Sequence, residues 1–130
     1  MIRCCAVVLL AIVASGCKET RAPHTGVPAN LGENGLEELA SVYKYIAQNK
    51  EQVPRKLEDL TEKQAALPTA WGKIESGEYI VQWGAGVSGS GGAVLAYEKS
   101  APDSGGLVLL QDGTVKQLTA AEFKAAPKAR

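Results

Sequence analysis

Beyond Cys17 the sequence has no cysteine: all three, Cys4, Cys5 and Cys17, lie in its first stretch. Disulfides and thiolate metal sites are thereby excluded from residues 18–130, which must fold on their hydrophobic core alone. Histidine is equally scarce. The one copy, His24, sits in a Pro- and Gly-rich stretch without a neighbour to orient it as a base or ligand, and reads as solvated. Aromatic residues are only four Tyr, two Trp and one Phe. Charge of one sign is missing too. Lys+Arg and Asp+Glu both number 14, and setting Arg3 aside with a leader leaves 13 against 14. Nucleic acids and anionic bilayers call for clustered excess Lys and Arg, so nucleic-acid binding is not expected. Long apolar runs are absent as well. Residues 4–14 are uncharged, but they fall short of the roughly 20 apolar residues a membrane-spanning helix needs.

A chain of 130 residues, 45% hydrophobic and 22% charged, has the composition of a globular protein with length to spare beyond one domain. Met1-Ile2-Arg3 followed by residues 4–14 has the layout of a secretory signal, a short basic segment and then an apolar one. Val13-Ala14-Ser15-Gly16-Cys17 comes next. This segment resembles the lipobox of bacterial lipoprotein signal peptides, with small residues at Ser15 and Gly16 and Ala14 where Leu is commoner. The resemblance implies cleavage between Gly16 and Cys17 and lipidation of Cys17 by a diacylglyceryl group and usually a third acyl chain such as palmitate. Two or more acyl chains anchor stably where one is marginal. The expected location is the bacterial cell envelope, with the chain outside the cytoplasm and held to a membrane. Ordinary secretion with Cys17 as a free thiol is the alternative.

The expected organisation is a signal peptide at residues 1–16, a lipidated cysteine and tether at 17–33, a domain at 34–126 and a frayed tail at 127–130. Pro23, Gly26, Pro28 and Gly32 break up the tether. Asn34 then reads as a helix N-cap, with Glu37 three residues on completing a capping box. Leu36, Leu39, Tyr43 and Ile46 form one helical stripe, with Ala40 and Ala47 beside it and Glu37, Glu38 and Lys44 elsewhere. Pro54 is expected to close this region. A short second helix is expected over residues 54–60. Strands follow at residues 78–83, 93–98, 107–110 and 114–118, rich in β-branched and aromatic side chains. Asp112-Gly113 predicts a hairpin with a type I′ turn. Thr119-Ala120-Ala121-Glu122 predicts a capping box on a short helix anchored by Phe123. Helix first and strands after, without βαβ alternation, predicts an α+β fold: an N-terminal amphipathic helix packed on an antiparallel sheet of about four strands.

Few motifs point to chemistry. Gly84-Ala85-Gly86-Val87-Ser88-Gly89 matches G-x-G-x-x-G, but Ser90-Gly91-Gly92 and a β-like run follow where a helix must start to receive pyrophosphate. It reads as a connection between strands. Ser76, Ser88, Ser90 and Ser100 offer hydroxyls for Ser-Lys chemistry without a motif around them. Glu75, Glu78, Glu98 and Asp103 offer carboxylates without evident pairing. Asp103 and Ser104 with Asp112 contain calcium-type oxygens, yet Pro102-Asp103-Ser104-Gly105-Gly106 is explained by a turn. No catalytic residue, metal or other cofactor is expected, and the chain reads as a non-enzyme. Tyr79, Trp83 and Tyr97, with Trp71, are candidates either for the core or for an aromatic binding platform.

Residues 36–118 as a whole resemble the soluble part of type II secretion pseudopilins. The likeness rests on the opening helix with Tyr43, on Pro54, Leu57 and Leu60, and on Leu67-Pro68-Thr69-Ala70-Trp71-Gly72 as a Trp-Gly turn before the strands. Thr69-Ala70 replaces the Asp-Pro common before that Trp-Gly. A lipobox stands where the prepilin cleavage motif and long filament helix would be. The resemblance implies the fold but not polymerisation through that helix. The expected function is a membrane-anchored envelope lipoprotein with a protein-interaction domain and an envelope protein partner, linked to a secretion or surface assembly. The alternative is a module binding wall glycan or a small ligand through Tyr79, Trp83 or Tyr97.

Overall fold

The computed structural model describes residues 34–89 and 91–130. Expectations for the leader, the tether and Ser90 lie outside these residues. Helix α1 (Gly35–Gln48) is followed by a 3-10 helix (Leu57–Ala66), α2 (Ala70–Glu75), β1 (Tyr79–Val81), β2 (Val94–Glu98), α3 (Ala101–Ser104), β3 (Gly106–Leu110), β4 (Val115–Leu118) and α4 (Ala120–Ala125). The strands form one antiparallel sheet in the order β1-β2-β3-β4. The fold is α+β.

Asn34 begins α1, its Oδ1 accepting from the Leu36 N–H at 3.1 Å. The expected capping box needs that acceptor on the Glu37 N–H, which instead reaches the Asn34 carbonyl at 2.9 Å. Gly35 is required by close approach. A Cβ there would stand 2.8 Å from the Tyr79 ring and 3.0 Å from the Ala70 backbone. Leu36, Leu39, Tyr43 and Ile46 are buried, and so is Val42, while Ala47 is exposed. The helix has 14 residues, about four turns, and stops six residues before Pro54. The Glu51 N–H donates to the Ile46 carbonyl at 2.9 Å and the Lys50 N–H to that of Ala47 at 3.2 Å. This pair is a Schellman motif, with Lys50 at φ 53° in the left-handed position that glycine usually fills.

The segment between helix and sheet is more helical than expected. Instead of a short helix at 54–60, a ten-residue 3-10 helix runs on to Ala66, burying Leu60. Trp71 and Gly72 belong to α2 rather than to a turn. Thr69 offers α2 no side-chain cap. Glu38, back on α1, supplies it, its Oε2 accepting from the Thr69 and Ala70 N–H groups at 2.9 Å each. Periodicity places Glu38 off the apolar stripe but cannot show this use.

The sheet is buried on both faces. Partners directly opposite in an antiparallel pair share a face, so Tyr79 (opposite Glu98) and Tyr97 (opposite Ile80) point to opposite sides. On one side Tyr79, Val81, Ala96 and Leu109 join the buried residues of α1, Leu60 and Leu67. On the other, Val94, Val108 and Leu110 join Ala101 and Phe123, with Tyr97 against them. The register slips between Val94 and Ala96, where Leu95 is the extra residue of a bulge. The β3–β4 turn is not type I′. Only Gly113 has positive φ, at 81°, and its N–H donates to the Leu110 carbonyl at 2.9 Å. That is a three-residue loop with a glycine bulge, another standard way to close such a hairpin. Residues 102–104 are likewise helical, in α3, with Gly105 turning the chain at φ 77°.

At α4 the Thr119–Glu122 capping box forms as expected. The last four residues are not frayed. The Val94 N–H donates to the Pro127 carbonyl at 2.8 Å and the Ala129 N–H to that of Val94 at 2.9 Å, a parallel bridge that burial of Ala129 reinforces. They cover the side of β2 that three-residue β1 leaves open. Lys128 holds them further, donating from Nζ to the Phe123 and Ala126 carbonyls at 2.8 Å each. A lysine at a helix C-terminus suits both the free carbonyls and the dipole.

Two substitutions test these local accounts. Lys50→Gly relieves the left-handed backbone and should raise stability by about 1 kcal/mol in urea unfolding. Glu38→Ala leaves two N–H groups without their acceptor and should cost about 1–3 kcal/mol, with Glu38→Gln, which keeps a neutral acceptor, losing less.

Candidate functional site

The aromatic residues that are candidates for the core or for a binding platform are not assembled into one platform. Tyr79 is 4% exposed in the core beside α1, and its hydroxyl donates to Asn34 Oδ1 at 3.3 Å. Trp83 and Trp71 are half-buried against that same core. Tyr97 lies across the sheet, its ring tilted 57° on Phe123 with centroids 4.7 Å apart. Burial holds Tyr79 in its neutral form, aided by Glu98, Glu38 and Glu78, and its pKa is pushed up to about 12. The Tyr43 hydroxyl is buried deeper, without a hydrogen-bond partner among the described residues, and burial raises its pKa further.

Residues 84–89 form a connection packed down on the domain. The Gly84 N–H donates to the Pro54 carbonyl at 2.9 Å, with Gly84 at φ 86°, and Ala85 is buried. Gly86 lies against Val53, and its carbonyl accepts from Gln111 Nε2 at 3.3 Å. The chain then enters β2 rather than a helix. Asp103, in α3, and Asp112, in the hairpin loop, lie at opposite ends of β3, about 17 Å apart by strand rise and far beyond shared calcium ligation. Asp112 is occupied locally: Oδ1 accepts from the Thr114 N–H at 2.9 Å and hydroxyl at 2.6 Å, which lowers its pKa.

The fold does gather some residues that spacing could not pair. Glu78, Glu98 and Ser100 line one hollow of about 250 Å³ with Tyr79, Lys73 and Lys99. Three of its charges are already engaged. Glu98 accepts from the Leu107 N–H at 2.7 Å, and Lys73 lies 3.7 Å from Glu78. Ser76 is spent on its own helix, donating to the Lys73 carbonyl.

A larger groove, of about 560 Å³, lies between the second half of α1 and the 3-10 helix. Val42, Ala65 and Ala66 make its apolar lining and Tyr45 stands in it 52% exposed, the one large hydrophobic so exposed among the described residues. Lys63 crosses the groove. Its Nζ is 2.6 Å from Glu51 Oε2 and 5.6 Å from the centre of the Tyr45 ring, and the bond to Glu51 raises its pKa. Glu62 adds a second carboxylate. Sequence reasoning missed this place. Its one signal was Tyr45 itself, an aromatic two residues from Tyr43 and therefore off the buried stripe.

Among the described residues, no helix is long and apolar enough to cross a membrane. No family model, curated protein or solved structure matches the chain.

The two buried tyrosines make alkaline stability a direct test. Each folded pKa is raised, so stability is fully present below the unfolded tyrosine value near 10 and is lost as pH rises towards the folded values. Urea midpoints should fall between about pH 10 and 12, and Tyr43→Phe should fall less steeply.

Proposed function

We propose that this chain is an envelope lipoprotein, cut between Gly16 and Cys17 and held at a bacterial membrane by lipid on Cys17. The observation that carries this reading is the run from Met1 through the uncharged residues 4–14 to Ser15-Gly16-Cys17. The domain from Asn34 onward is a non-enzymatic protein-interaction module, its amphipathic N-terminal helix packed on the sheet as a rigid support. Its likeness to the globular part of pseudopilins points to partners in a secretion or surface assembly. Support comes from how the acidic side chains are used. Glu38 caps α2, Glu98 holds the Leu107 N–H, Asp59 that of Arg55, and Glu122 completes its capping box. Carboxylates engaged with main-chain N–H groups hold the fold together and are not free to meet a substrate.

Labelling of cells with an alkyne-tagged palmitate should mark the wild-type chain and leave Cys17→Ala unlabelled and outside the membrane fraction. Labelling independent of Cys17 would overturn the anchor. Crosslinking in intact cells through a photoreactive residue at Gln117, on the sheet edge, should join the chain to envelope assembly subunits. Recovery of the chain alone would count against the interaction module.

A further inference from the structure

The groove between α1 and the 3-10 helix already holds one cation. Lys63 places its ammonium against the Glu51 carboxylate and towards the Tyr45 ring, within reach of a cation–π contact. That ammonium is paired with Glu51, Glu62 is a second carboxylate lining the groove, and the described residues place no other cation there. One negative charge is left over. Beside it, Val42 with the short side chains of Ala65 and Ala66 leaves apolar room, and Tyr45 keeps half its surface in solvent. An aromatic wall, an uncompensated carboxylate and an apolar floor together describe a receptor for a cation carried next to an apolar group. A purely apolar ligand would make no use of the Glu62 charge, and an acidic one would be repelled.

We propose that this groove is the docking site for a basic side chain, arginine or lysine, flanked by an apolar residue in an exposed segment of a partner protein. The inference rests on the interaction-module reading above and names the chemistry of its partner. Glu62 receives the incoming cation and the Tyr45 face packs along its stem. Lys63 is the internal competitor, holding Glu51 and the ring until the partner arrives.

The test is a titration of the purified, isotope-labelled full chain with the peptide acetyl-Ala-Leu-Arg-Ala-Leu-Arg-amide, followed by NMR. Saturable shifts should centre on Ser41, Tyr45, Ala65 and Ala66. Replacing both arginines by neutral citrulline should weaken binding about tenfold, as should Glu62→Gln, an exposed substitution the fold can bear. Lys63→Met should strengthen binding, the opposite of what damage to the groove would do. Shifts centred elsewhere, equal binding of the citrulline peptide, indifference to Glu62→Gln, or no saturation would each overturn the proposal. Failure here alongside successful crosslinking through Gln117 would reject the groove and leave the interaction module standing. Failure of the crosslinking and palmitate experiments would reject that reading itself.

Discussion

Burial on both faces of a four-stranded sheet holds the domain together. The described residues contain no cysteine, and no group of three His, Cys, Asp or Glu among them could hold a metal ion. Packing and hydrogen bonding carry most of what remains. Each fully buried Leu, Ile, Val or Phe contributes on the order of 1.5–3 kcal/mol relative to exposure. A domain of this size, with one apolar cluster on each sheet face, needs both. Phe123 and the four residues after Ala126 are therefore part of the structure. Without them Val94, Val108 and Leu110 would face water, and the Val94 backbone would lose two partners.

Around this sheet, several charged side chains are spent on the main chain. Glu38, Glu98, Asp59, Asp112 and Glu122 accept from backbone N–H groups, and Lys128 donates to two backbone carbonyls. Short elements explain the pattern. The α2 and α4 helices have six residues each, so unsatisfied terminal groups make up a large share of their backbone. Surface ion pairs contribute little by comparison. The α1 groove differs: its Glu51 carboxylate points at a lysine that also faces an aromatic ring, not at the main chain.

Much of the fold was legible because its signals are local. The strand at residues 93–98 announced itself by composition, the hairpin by Asp112-Gly113, and α4 by Thr119 with Glu122. Several departures share one cause: the competing interaction lies far away in sequence. Thr69-Ala70 reads as a turn until Glu38 is placed above it. The last four residues read as loose until Val94 is found short of a neighbour. Lys50 is a different case, a poor candidate for a helix C-terminus until the Schellman bonds are seen.

The opening helix, the four strands and α4, the α+β class, the absence of bridging cysteines and the reading of Cys17 came from residues in their linear order, since composition, spacing and cap chemistry act over short stretches. Which side chains meet was settled by packing in three dimensions. Alternation of side chains across one strand pair separated Tyr79 from Tyr97. The fold brought Glu51 and Lys63 to 2.6 Å and left Tyr45 beside them half in water. Such encounters depend on how α1 and the 3-10 helix lie against each other, and that depends on the whole set of buried surfaces at once.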